Sequence, residues 1–142
     1  MKKILILILI INSLALYSDD SILFNNDLNY SQVEFVKLTE SKNGSWRFDV
    51  TLRHKDTGWE HYADLWVVVD TQTDKIIGSR TLTHPHVNEQ PFTRSLSGVI
   101  INENSRYIEV KSKCTLHGYE GKKVIIDLEL DEGQDYKIVR SK

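Results

Sequence analysis

The run Trp46-Arg47-Phe48-Asp49-Val50-Thr51-Leu52-Arg53 puts an apolar side chain at every second position and a polar one between. A period of two belongs to a pleated strand with one dry face and one wet face; a helix would need apolar residues three and four apart. The alternation returns at residues 123–130, where Val124, Ile126, Leu128 and Leu130 form one row and Lys123, Asp127 and Glu129 the other, with Ile125 the exception. No stretch after residue 18 shows a convincing 3.6-residue apolar period. The chain reads as all-β.

Seven segments have this character: residues 33–39, 46–53, 62–70, 75–83, 92–101, 106–116 and 123–130. Short strands joined by short polar connections predict an immunoglobulin-like or fibronectin-like antiparallel β-sandwich over residues 32–130. The Cys-Trp-Cys hallmark of true immunoglobulin domains is absent, because Cys114 is the single cysteine. Within 62–70 two phases compete, and Ala63, Leu65, Val67 and Val69 are favoured as the inward row over Trp66 and Val68 because their alternates include Asp64 and Asp70. Residues 131–135 read as a turn, leaving 131–142 as a tail or an extra edge strand at 136–139.

Ahead of this domain, Lys2-Lys3 and the apolar run from Ile4 to Ile11 have the pattern of a signal peptide over residues 1–18, with Ser13-Leu14-Ala15 or Leu16-Tyr17-Ser18 supplying the cleavage site. The run is short for a bilayer span, and no later segment could cross. No cysteine lies near the cleavage region to accept a lipid. These features predict a soluble periplasmic or secreted protein of the bacterial envelope, its domain preceded by a polar arm at 19–31. Of 18 Lys and Arg, two lie in the leader, leaving 16 against 20 acidic side chains and a net charge of −4. Without a basic cluster, nucleic acid and anionic membrane are poor candidates for partners.

Both prolines fall in Thr83-His84-Pro85-His86-Val87-Asn88-Glu89-Gln90-Pro91-Phe92, which fixes this stretch as a stiff loop. If successive strands alternate in direction, the loops 54–61, 84–91 and 116–122 share one end of the sandwich. All five histidines, His54, His61, His84, His86 and His117, then meet there. His54 keeps the inward parity of Trp46 to Leu52, and Cys114 that of Ile108, Val110 and Ser112. Imidazoles gathered on a rigid scaffold suit a divalent transition metal, Zn or Cu(II). Asp64, Glu89, Arg94 and Cys114 are further candidates at the same end, and Trp59, Tyr62 and Tyr119 could form an aromatic lip.

The runs Gly58-Trp59-Glu60-His61-Tyr62-Ala63-Asp64, His84 to Leu96 and His117-Gly118-Tyr119-Glu120-Gly121 resemble those of a set of uncharacterised exported bacterial single-domain proteins. The resemblance covers roughly residues 46–130 and implies an exported single domain, with no activity attached.

Each feature has a plainer reading. The histidines could pack loops, their N–H groups bonding to carbonyls, Glu89 or Asp64; Cys114 reads first as a small buried hydrophobe; Arg94 with Glu89 reads as a buried ion pair bracing the loop. Gly-x-Ser-x-Gly, His-Glu-x-x-His and phosphate-loop motifs are absent, which argues against an enzyme. The rival to a metal site is a metal-free interaction module that binds a protein or glycan through the same loops.

Overall fold

The computed structural model describes residues 27–142. The expected signal peptide, its cleavage site and the first part of the polar arm lie outside them.

The described chain is all-β, with eight strands in two four-stranded sheets. The strands are β1 (Gln32–Glu40), β2 (Trp46–Arg53), β3 (Ala63–Asp70), β4 (Lys75–Thr81), β5 (Phe92–Val99), β6 (Tyr107–Cys114), β7 (Val124–Asp127) and β8 (Tyr136–Val139). One sheet runs β5-β2-β1-β8 and the other β4-β3-β6-β7. The sandwich of the sequence reading is therefore present, with an added strand and one departure. β8 pairs with β1 in parallel, Val36 opposite Tyr136 and Thr39 opposite Val139, so the first sheet is not wholly antiparallel.

Trp46, Phe48, Val50 and Leu52 of β2 all face inward, as alternation requires, and meet Trp66, Ile108 and Ile126 from the facing sheet. Burying side chains of this size contributes about 1.5–3 kcal/mol each. Leu128 packs against this core, but β7 ends at Asp127 and Leu130 is exposed, which corrects the expectation of an inward row extending to Leu130.

The phase expected for residues 62–70 is also corrected. Ala63, Trp66 and Val68 belong to the core, while Val67 and Val69 are buried outside it and Leu65 is half-buried. The cause is a register shift between Ala63 and Leu65 opposite β6, which adds a residue to the strand and reverses the faces beyond it. A similar shift between Val33 and Phe35 in β1 puts Val33, Val36 and Leu38 inward and leaves Phe35 exposed. Both irregularities lie where their strands begin, beside the histidine-bearing loops. Among the described residues no helix is long and apolar enough to cross a membrane.

Candidate metal centre

The inward parity of β2 continues one residue past the strand and carries His54 into the end of the core, fully buried. A buried imidazole needs partners for its nitrogens. His54 Nδ1 lies 2.5 Å from Asp56 Oδ1, and Asp56, itself buried, also accepts the N–H of Ala63 at 3.0 Å on Oδ1 and of His86 at 2.7 Å on Oδ2. Burial pushes the Asp56 carboxyl up, but the bonds from His54, His86 and Ala63 outweigh it and hold the group below its ordinary value. Asp56 is thus a carboxylate and can only accept. His54 therefore donates through Nδ1, and its Nε2 faces the other way.

Nε2 points at a cluster. Past Asp56 the chain reverses at Gly58, whose φ of +152° disfavours any other residue, and Thr57 N–H bonds to the His61 carbonyl at 3.0 Å. The turn brings His61 Nε2 to 3.2 Å from His54 Nε2. Cys114 closes β6 opposite Ala63 and is buried on the third side. One ligand atom from each of His54, His61 and Cys114 lies within 4.8 Å of the others. Above them is the main-chain oxygen of Asn29, 3.1 Å from His54 Nε2, 3.2 Å from His61 Nε2 and 3.6 Å from Cys114 Sγ. The Leu28 carbonyl, accepting from Lys55 N–H at 2.8 Å, holds this arm in place.

His117 adds a main-chain contact rather than a ligand: its N–H donates to Cys114 Sγ at 3.3 Å. Its exposed ring sits edge-on to His61 with centroids 5.1 Å apart and lies the same distance from Tyr30. The His61 imidazole is held below its ordinary pKa, first by burial and then by the neighbouring His54, so it is neutral at pH 7 and able to ligate.

The proline-bounded loop forms a separate pair. His86 stacks on Phe92, centroids 4.0 Å apart and planes at 9°, with the His84 ring 4.5 Å away on the exposed side. Both ring nitrogens of His86 are buried without a hydrogen-bond partner, Nδ1 lying 3.9 Å from Asp56 Oδ2. Burial, then Arg94 and His84, lower its pKa. Gln90 ties this loop to the cluster, accepting from His54 N–H at 3.1 Å and donating to the His86 carbonyl at 3.1 Å. All five histidines therefore lie at one end, in two groups separated by Asp56.

The other candidates point elsewhere. Asp64 pairs with Lys113 at 2.8 Å, and Glu89 grips Arg94 through two bonds of 3.1 and 3.2 Å, so neither carboxylate joins the cluster. The Arg94–Glu89 pair braces the loop but is not buried: Glu89 is exposed and Arg94 lies over the Phe92 ring at 5.5 Å. Trp59 is 67% exposed and meets Tyr62 edge-on at 5.7 Å, while Tyr119 lies beneath Lys111 Nζ at 4.9 Å. Sequence reasoning places Asp56 among the carboxylates at this end, with Glu60 and Glu120, but gives it no role in the site, and it leaves Asn29 out. Asp56 was legible in part, as an acidic residue two positions after an inward histidine, whereas a main-chain oxygen leaves no trace in the residue type.

A "Putative lipoprotein" of Halomicrobium mukohataei is 35% identical to this chain over 103 residues, 72% of this chain and 50% of that one. The chain thus spans about half the length of the relative it matches. No family model matches the chain, and no solved structure does.

Proposed function

We propose that this is an exported protein whose loop end binds a divalent transition metal, Zn or Cu(II), through His54 Nε2, His61 Nε2 and Cys114 Sγ. The observation that carries the proposal is the convergence of these three ligand atoms within 4.8 Å. Metal bonds of about 2.0–2.1 Å to nitrogen and 2.3 Å to sulfur set tetrahedral ligands about 3.3–3.8 Å apart, a span the 3.2 Å His54–His61 separation already approaches. Asp56 supplies the carboxylate behind a ligating histidine that commonly fixes its tautomer and orientation. Residues 1–18 act as a signal peptide, and the mature chain is one domain in the periplasm or outside the cell; the leader pattern and the likeness to a protein named a lipoprotein support this.

The rival reading is a metal-free module that grips a protein or glycan at the same end, favoured by the exposure of Trp59. Thermal melts at pH 7.5 with Zn or Cu(II) separate the two. Metal at 100 times its Kd should stabilise the fold by about 2.7 kcal/mol. His61→Ala and Cys114→Ser should remove most of that shift, while His84→Ala keeps it. A wild type whose melting is indifferent to both metals would leave the interaction module standing.

A further inference from the structure

The donor set narrows which metal the centre suits. Resting on the reading above, we propose that it holds copper through a Cys114 thiolate and carries one electron, cycling between Cu(II) and Cu(I).

Two imidazoles and one thiolate with a weak fourth oxygen donor are the set found in copper electron-transfer sites. Here the fourth donor is the Asn29 carbonyl, whose distances of 3.1, 3.2 and 3.6 Å place it over the triangle of the other three rather than beside one of them. A carbonyl above three strong donors suits both oxidation states, because Cu(I) accepts three ligands and Cu(II) gains from a fourth. The structural zinc sets of two to four thiolates are not available, since the sequence holds a single cysteine. Between metals competing for the same nitrogen and sulfur atoms, Cu(II) binds more tightly than Zn.

The surroundings point the same way. The His117 N–H bond to Cys114 Sγ draws electron density from the sulfur, which favours the reduced metal. The ligands are also fixed from opposite sides: His54 follows β2 in one sheet, Cys114 ends β6 in the other, and Asp56 and Gln90 lock the His54 segment to its neighbours. A centre held from both sheets changes little when the charge on the metal changes. The cycle is Cu(II) taking one electron from a reduced one-electron redox protein to give Cu(I), and Cu(I) passing it to an oxidised one-electron redox protein; the thiolate stays bound and no proton moves. His54 and Cys114 are sealed, whereas the neighbouring His117 ring is exposed, so an electron can reach the centre without the site opening.

The test is titration of the purified protein with Cu(II) under anaerobic conditions, followed by absorption and electron paramagnetic resonance. The expected result is an intense visible sulfur-to-copper charge-transfer band at one equivalent, bleached by ascorbate, restored by ferricyanide, and accompanied by copper that stays bound throughout. Cys114→Ser should lose the band entirely, and His61→Ala should weaken Cu(II) binding at least tenfold while keeping the wild-type fold by far-UV dichroism. Weak absorption unchanged in Cys114→Ser, or loss of copper on reduction, would overturn the copper proposal while zinc-dependent stabilisation left the metal site intact. Failure of both metals to bind would overturn the two readings together.

Discussion

Replacing Asp56 should do more damage than replacing any histidine around it. The buried carboxylate accepts three hydrogen bonds, from His54 Nδ1 and the N–H groups of Ala63 and His86. Asp56→Ala leaves those donors buried, and each stranded donor costs about 1–3 kcal/mol, less than additively because His54 can change tautomer. Three donors stranded together, less than additively, make the expected loss about 3–5 kcal/mol, against a total of about 5–15 kcal/mol for a domain. At about 4 °C per kcal/mol for a domain of this size, the melting temperature should fall by about 12–20 °C. Asp56→Asn keeps one acceptor oxygen and should lose only about 1–3 kcal/mol. If its amide faces His54, however, the imidazole proton moves to Nε2 and blocks the metal, so affinity should drop about 10–100-fold. The pH dependence checks the charge. Because the folded carboxyl lies below its ordinary 3.8, its ionised form adds stability above that value, and the contribution is lost as pH falls through the depressed one. The gap between wild type and Asp56→Ala, measured by urea melts, should hold steady from pH 7 to 5 and shrink below about pH 4. A gap under about 1 kcal/mol at pH 7, or one that widens in acid, would refute this account of Asp56.

Three further outcomes are expected. His86→Phe removes two unpartnered nitrogens while keeping the stack on Phe92, and a melt should show about 1 kcal/mol of added stability. His61 and His86 are both held below 6.5, so the unfolded chain binds their protons first; calorimetry should find stability falling as pH drops below about 6.5, less steeply in His86→Phe. In Gly121→Ala the new Cβ would stand 1.9 Å from the Ser31 carbonyl oxygen, displacing the arm that carries Asn29; chemical unfolding should register a loss of about 1–3 kcal/mol, and metal titration a weaker site.

Much of the fold could be read from the sequence because alternation is local. The period of β2 runs unbroken into His54 and predicts its burial, and the same reasoning reaches Cys114 at the end of β6. Alternation fails where a strand gains a residue. The irregularity between Ala63 and Leu65 turned Trp66 and Val68 inward, and the acidic alternates Asp64 and Asp70 misled because each found its own partner: Lys113 for Asp64, and Ser105 Oγ at 2.5 Å for Asp70. Strand direction brought the five histidines to one end, but direction does not set distance. Which of them meet depends on the Gly58 turn and on Asp56 bonding at once to His54 and to the backbone of His86, relations that belong to the folded chain.

The parallel pairing of β8 with β1 has a consequence for how the molecule comes into being. Val36 finds its partner Tyr136 a hundred positions later, and Asn29 meets Cys114 only after most of the chain exists. The first of the described strands is thus among the last to be completed: a chain emerging N-terminus first cannot form the candidate metal centre until Cys114 follows, nor the flank of β1 until Tyr136–Val139 does. Pairing over such separations is slow, because a long loop must close before any contact rewards it. A growing chain with this topology can pair β1 with β2 early, yet one edge of β1 stays without its partner for most of synthesis.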